Sequence, residues 1–237
     1  MVSVTVQFLL CALATSVESA PDPSHMTKLN EILNYQNPQV VLQSHDIIFL
    51  VRAPTNGWTS SYTKCVKSIF LGFQNGNKVV KRKTEYFDLT KRQKVTETFL
   101  MKVVKSEDYK TYIAAFKIDD NESAEFPRFS LQGENVRKKK EKHPAATPQP
   151  RILSHSGYLE SNVRLIRVLY SSPTCVVLEN TEAAGNRTCT LWAVQSTADN
   201  PNDCCKFAML FLCQGQAYEA YKTEKPYCNV YEELTKG

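Results

Sequence analysis

The sequence predicts an all-β fold, an antiparallel barrel of eight or nine strands with one short helix before it and another helix after it. Short apolar or alternating runs, each about as long as a strand, fill residues 47–195 and are separated by turn residues. Helical spacing of apolar residues, at intervals of three and four, appears only near the two ends of the chain. A β-sandwich fits the same runs, and periodicity alone does not separate the two architectures.

The strand-like runs follow a short amphipathic helix predicted over His25–Tyr35, which we expect to act as a lid. The Asn75-Gly76 pair is the strongest hairpin signal in the chain. The nine runs are 47–51, 64–73, 79–87, 95–104, 111–118, 126–132, 162–170, 175–179 and 188–195.

Two further segments complete the domain. Residues 133–150 are rich in Lys, Pro and Ala without apolar periodicity, which predicts a long exposed basic loop. A longer helix is predicted to begin at Asn202 or Asp203 and to run to Cys213, and a C-terminal tail follows to Gly237.

The first residues have the pattern of a secretory signal peptide. Residues 1–15 carry no charge and contain a short apolar core, and small residues at Val17 and Ser19 predict cleavage after Ser19. The domain would then occupy residues 20–237, Cys11 would leave with the peptide, and no later run is long and apolar enough for a membrane helix. We therefore expect a secreted, extracellular protein that is not anchored in a membrane.

The positive charge does not indicate a nucleic-acid partner. The formal net charge is +5, and it is concentrated in two runs, residues 78–83 and 137–142, that we interpret as solvated connections. Two sequons, at Asn121 and Asn186, lie beside turn residues and predict surface glycosylation.

Enzymatic activity is not expected. The four histidines have no zinc-like spacing, and the sequence has neither a nucleophile elbow nor a Gly-rich phosphate loop. We predict no catalytic residue, no metal and no cofactor.

Seven cysteines remain when Cys11 is removed, and in an oxidising compartment they predict a disulfide framework. They lie in the segments Tyr62-Thr-Lys-Cys65-Val66, Cys175-Val-Val-Leu, Cys189-Thr-Leu-Trp192, Asn202-Asp-Cys204-Cys205-Lys-Phe207, Cys213 and Tyr227-Cys228. The order of these cysteines, together with the Leu-Trp pair, resembles that of the tick salivary lipocalins that include the histamine-binding proteins.

The resemblance implies an eight-stranded antiparallel lipocalin-type barrel and a set of disulfides. Cys65 would pair with Cys228, and Cys189 with Cys213. Cys175 would pair with either Cys204 or Cys205. Because seven is odd, one of these two adjacent cysteines would lack an intrachain partner, either as a spare buried thiol or as a disulfide to a second molecule that makes a dimer.

The resemblance also implies a ligand site inside the barrel. In amine-binding relatives, carboxylates meet the ammonium group. Here Thr190 stands where the family's Glu-Leu-Trp motif has its acid, and Ile166 falls where another inward acid is expected. Of the segment between the first two strands, only Trp58 matches. These departures argue against the usual histamine pocket, although Glu160 or Glu179 remain candidate replacements.

One of Arg164 and Arg167 should point into the barrel, because they lie on opposite faces of one strand. An inward Arg in an apolar barrel suits a fatty acid or an eicosanoid. In the alternative without a functional role for Arg164, the side chains of Val163, Leu165 and Arg167 face inward and Arg164 lies in solvent. Trp192 would pack in the core or contact the ligand.

The sequence therefore predicts a secreted, glycosylated lipocalin of tick saliva that sequesters a small host mediator, an amine such as histamine or serotonin or a lipid such as a fatty acid or eicosanoid. This capture would blunt host haemostasis or inflammation. The alternative is a scaffold whose loops, above all residues 133–150, bind a host defence protein. The predicted ligand-binding residues are Trp58, Arg164, Ile166, Thr190 and Trp192.

Overall fold

The structure is a computed structural model of the 237-residue chain. It describes residues 37–55, 62–107, 110–119, 125–127, 129–131, 152–154, 163–181, 187–213 and 216–234. The predicted helix at 25–35, the loop at 133–150, both sequons and the cleavage site lie outside these ranges, so these remain predictions.

Eleven strands and three α-helices make up the described part of the chain. The helices are α1 (Gln39–Gln43), α2 (Asp203–Leu212) and α3 (Ala220–Leu234). The strands are β1 (Ile48–Pro54), β2 (Thr63–Gln74), β3 (Val79–Asp88), β4 (Gln93–Lys105), β5 (Thr111–Ile118), β6 (Phe129–Leu131), β7 (Ile152–Ser154), β8 (Val163–Ser172), β9 (Cys175–Thr181), β10 (Arg187–Val194) and β11 (Ala217–Tyr218).

Eight of the strands form a closed antiparallel barrel. β1 to β5 and β8 to β10 each pair with their neighbours in chain order, and β10 pairs back with β1. This closure confirms the predicted eight-stranded barrel and excludes the sandwich. β6 and β7 form a separate two-stranded sheet, and the two-residue β11 extends the sheet beside β1.

One end of the barrel is closed by α1. Its Val41 and Leu42 are buried in a cluster with inward side chains of the strands, among them Val80 and Val168. Burying these apolar side chains stabilises the closed end by roughly 1.5–3 kcal/mol each.

Beneath α1 lies Arg82, which is only 1% exposed. Its Nε donates to Ser68 Oγ at 2.9 Å, Nη1 donates to the carbonyls of Leu42 and Ser44 at 2.9 Å, and Nη2 donates to the carbonyls of Ser68 at 3.0 Å and Asp46 at 3.3 Å. These five bonds match the five N–H donors of a guanidinium. Burial lowers the pKa of Arg82 to about 10, so the group stays charged at neutral pH. The interpretation of residues 78–83 as a solvated run is therefore wrong at this position.

Helix α2 packs on the outside of the barrel and begins as predicted. Asn202 caps it by accepting the backbone N–H of Cys204 at 2.8 Å. Its buried residues contact the outer side chains of β9 and β10, and two disulfides, Cys175–Cys205 and Cys189–Cys213, join it to these strands.

Cys204 is also disulfide-bonded, and the described part of the chain has no free cysteine. The expectation that Cys204 or Cys205 lacks an intrachain partner concerns the chain without Cys11, and for that form it remains a prediction. Of the two adjacent residues, it is Cys205 that bonds Cys175.

The predicted C-terminal tail is instead a helix, α3, which with 15 residues is the longest in the described part of the chain. Its inner face contains Ala220, Glu224 and Cys228 at intervals of four residues, and Cys228 is bonded to Cys65 as predicted. The apolar pattern is hidden because Glu224 lies at the centre of that face and Pro226 lies inside the helix.

Candidate functional site

The side on which α2 packs shows which side chains of the barrel face inward. Cys189, Leu191 and Ala193 contact α2 on the outside, so the alternate residues Thr190 and Trp192 face the interior. Because cross-strand partners lie on the same face of a sheet, the registers of the other strands identify their inward residues around the barrel.

Four of the five predicted ligand-binding residues share this inner face. Thr190 pairs with Leu178, which pairs with Val168, and Ile166 and Arg164 alternate with Val168 along β8. The fifth residue, Trp58, lies outside the described residues. Their common orientation is a finding, whereas their role in binding a ligand remains a prediction.

Trp192 is held in place by its neighbour on the same face. Its indole Nε1 donates to Thr190 Oγ1 at 3.1 Å, and Thr190 is 9% exposed. The indole lies between two apolar clusters, one at the closed end and one that includes Leu50. Thr190 therefore acts as a hydrogen-bond acceptor for the tryptophan, in the place where the resemblance led us to expect an acid.

The inner face is largely apolar and is not fully packed. Several large inward side chains keep partial exposure, whereas outward Thr98 and Leu100 on β4 are fully buried. An inward apolar side chain that stays accessible offers apolar surface that a ligand can cover. The half-buried inward residues of this kind include Phe70, Phe99, Met101, Ile166 and Trp192.

The charges on this face lie toward the end opposite α1. Arg164 is the second residue of β8. It belongs to the alternate residues of β8 that face inward, and its side chain is exposed. Glu97 on β4 also faces inward, and its carboxylate accepts from Lys117 Nζ at 2.7 Å. This contact, together with the negative charge of Glu97, raises the pKa of Lys117. The sequence did not single out Glu97, because alternation along β4 gives two faces without saying which is the inner one.

The second arginine of β8 lies on the outer face. Arg167 is the cross-strand partner of Glu179, and its Nη1 donates to Glu179 Oε2 at 3.1 Å. The alternative that placed Val163, Leu165 and Arg167 inward is therefore wrong, although Arg164 is exposed as it supposed. Because Glu179 also lies on the outer face, it cannot replace the missing inward carboxylates. The other candidate, Glu160, lies outside the described residues.

The described residues contain no cluster of three or more His, Cys, Asp and Glu side chains that could hold a metal ion. Among their helices, none has both the length and the apolar character needed to cross a bilayer. The site is thus a set of inward strand side chains that are mostly apolar and, in several cases, partly exposed.

A family model described as "Tick histamine binding protein" matches residues 138–229, somewhat less than half of the chain. One solved structure, "Japanin from Rhipicephalus appendiculatus bound to cholesterol", is similar over 77% of this chain and 93% of that chain, with 12% sequence identity and a TM-score of 0.45. A likeness of that degree identifies neither a ligand nor a partner. No curated protein matches the chain.

The stretch matched by the family model contains β8 to β10, α2 and six of the eight cysteines. It includes the segments around Cys175, Cys189 and Cys204-Cys205 on which the resemblance was based. Over residues 138–229 the chain is similar to the tick histamine-binding proteins, and its closed eight-stranded antiparallel barrel is the fold that this resemblance implies.

Proposed function

We propose that the protein is secreted and that its barrel takes up a small amphipathic anion, such as a fatty acid or an eicosanoid, and thereby lowers the free concentration of a host mediator. Capture would be stoichiometric, without turnover. The observation that carries the proposal is the combination of a half-buried apolar inner face with an exposed cation, Arg164, at its open end.

The apolar part of the ligand would lie against Phe99, Met101, Ile166 and Trp192, where inward surface is still accessible. Removing that surface from water contributes about 25 cal/mol for each Å². The carboxylate would stay near the mouth, where Arg164 offers a planar guanidinium with donors in a fork that matches a carboxylate. A head group at the mouth also keeps its own charge partly hydrated, which limits the cost of desolvation.

An amine ligand is less compatible with the same face. On the described strands, the inward series carries two carboxylates, and both are engaged. Glu97 is paired with Lys117, while Asp88 at the end of β3 accepts the backbone N–H groups of Thr90 and Lys91. A buried ammonium would need a carboxylate of its own.

Native mass spectrometry tests the proposal by comparing arachidonate with histamine. We expect one equivalent of arachidonate to bind, and we expect Arg164→Gln to weaken its affinity about 10-fold, equivalent to about 1.4 kcal/mol. The matched control is Lys102→Gln, which removes one exposed charge from the outer face of β4 and should leave the affinity unchanged. Tight one-to-one binding of histamine without arachidonate binding would overturn the proposal.

The alternative, a scaffold for a host protein, depends on residues 133–150. That loop lies outside the described residues, so this alternative stays a prediction from the sequence.

A further inference from the structure

The barrel wall is incomplete between β1 and β2. These strands pair at only two positions, Ile48 with Ser68 and Phe49 with Lys67, whereas β1 pairs with β10 along Ile48–Arg52 and then with β11 at Ala53 and Pro54. Helix α3 covers the gap and is fixed there by the Cys65–Cys228 disulfide. A cleft of about 290 Å³ remains between α3 and the wall.

The cleft has aromatic walls that pair α3 with the barrel. Phe49 of β1 lies 4.8 Å from Tyr221, and Phe87 of β3 stacks on Tyr231 with ring centroids 4.8 Å apart. Leu50 and Val66 contribute buried apolar surface to the lining. Such a surface accepts a flat or extended apolar group.

The charges of the cleft favour an anion. Glu85 is 5% exposed, and its carboxylate accepts from Lys83 Nζ and Lys94 Nζ at 2.8 Å each, with Lys67 Nζ at 3.6 Å. Burial alone raises the pKa of Glu85, but hydrogen bonds and charge from Lys83 and Lys94 outweigh burial and lower the pKa to about 2. The carboxylate of Glu85 is therefore ionised at neutral pH, and the ammonium groups of Lys83 and Lys94 share it.

Lys94, one of three lysines that line the cleft with Lys67 and Lys225, has capacity for a second anion. An ammonium has three donors, and the contact of Lys94 with Glu85 occupies one of them. Lys83, which does not line the cleft, also neutralises Glu85, so Lys94 adds net positive charge at the wall. The other lining carboxylate, Glu224, already accepts the backbone N–H of Cys65 at 2.7 Å.

We propose that this cleft is a second binding site, distinct from the barrel interior, for a small amphipathic anion. Its carboxylate would contact Lys94, and its apolar body would lie between Phe49 and the stacked rings of Phe87 and Tyr231. A volume near 290 Å³ is at the lower limit for ligand pockets, which restricts the ligand to a short chain or a single aromatic acid. This inference does not depend on the function proposed for the interior.

A titration of the isotope-labelled protein followed by NMR separates the two sites, with decanoate as the probe. The cleft is reported by the amides of Lys94, Asn229 and Tyr231, and the interior by the indole N–H of Trp192. We expect decanoate to shift the cleft amides in a saturable manner, and decylamine at equal concentration to leave them in place.

Two variants make the test specific. Lys94→Gln should weaken decanoate binding at the cleft amides at least 5-fold, whereas Lys91→Gln, at an exposed lysine in the β3–β4 turn, should not change it. Asn229→Trp, on the exposed side of α3, should fill the cleft and abolish those shifts. Neither Lys94→Gln nor Asn229→Trp should change a titration reported by Trp192.

The inference is overturned if decanoate shifts the Trp192 indole alone, if Lys94→Gln binds as tightly as the unchanged protein, or if decylamine competes equally. Binding at the cleft amides without any ligand in the interior would instead contradict the proposed function and leave this inference intact.

Discussion

The carboxylate of Glu224 accepts the backbone N–H of Cys65 at 2.7 Å, one helical turn before Cys228, the residue to which Cys65 is disulfide-bonded. Cys65 has a φ of 57°, a left-handed conformation uncommon for a non-glycine residue, at an irregularity in the pairing of β2 with β3. One hydrogen bond and one disulfide thus hold α3 to the wall at the position where β2 departs from regular geometry.

The Cys65–Cys228 disulfide should contribute more stability than Cys189–Cys213. The two link residues 163 and 24 positions apart, so the loop-entropy model assigns them roughly 5 and 3.5 kcal/mol as upper figures. Replacing each pair with alanines and measuring urea unfolding should show the larger loss for Cys65–Cys228. The reverse order would show that the docking of α3 adds little to the stability of the barrel.

Arg82→Met should destabilise the closed end by about 3–5 kcal/mol, because it leaves the carbonyls of Leu42, Ser44 and Asp46 without a buried donor. Lys78→Gln, an exposed change in the same basic run, serves as the control and should alter the unfolding free energy by less than about 0.5 kcal/mol. Equal urea midpoints for the two variants would argue against the role assigned to Arg82.

The stability that ionised Glu85 contributes should persist into acid. Its pKa in the folded protein, about 2, is below the ordinary 4.5, so the contribution is complete above about pH 4.5 and is lost as the pH falls toward 2. Glu85→Gln should lower stability at pH 7 by about 1–3 kcal/mol, since it removes a shared acceptor from Lys83 and Lys94.

Thermal unfolding of both proteins between pH 2 and pH 7 checks this expectation. The difference in stability between the unchanged protein and Glu85→Gln should become smaller as the pH falls below 4.5. A gap that stays constant over the whole range would mean that the carboxylate is not ionised preferentially in the folded state.

Thr190→Glu should create an amine site where the sequence lacks one. The new carboxylate would lie on the inner face beside Trp192, where an ammonium could meet both a charge and an aromatic ring. Calorimetry should detect histamine binding to this variant, and none to the neutral Thr190→Gln control. Equal binding by the two variants would show that the interior does not discriminate by charge at this position.

Much of the barrel could be predicted, because apolar runs bounded by turn residues indicate strands such as β5 and β10. The disulfides Cys65–Cys228 and Cys189–Cys213 came from the resemblance, and both are confirmed. Helix α3 was missed because Glu224 occupies the centre of its buried face, where the pattern of a helix requires an apolar residue.

The buried role of Arg82 had no local signal either. Four of its five contacts are backbone carbonyls, which every residue carries, and three of them belong to the segment that closes the barrel. The inward position of Arg164 similarly needed the register of β8 against β9, since alternation placed Arg164 and Arg167 on opposite faces without identifying the inner one.

The central claim, that the inner face of the barrel binds a small amphipathic anion, is tested most directly by the protection of Trp192 from a quencher. In a Trp58→Phe variant, Trp192 is the one remaining tryptophan, so its fluorescence reports on the inner face alone. We expect acrylamide to quench it in the free protein and arachidonate to reduce that quenching saturably at one equivalent. Quenching that is unchanged by arachidonate but reduced by one equivalent of histamine would contradict the account.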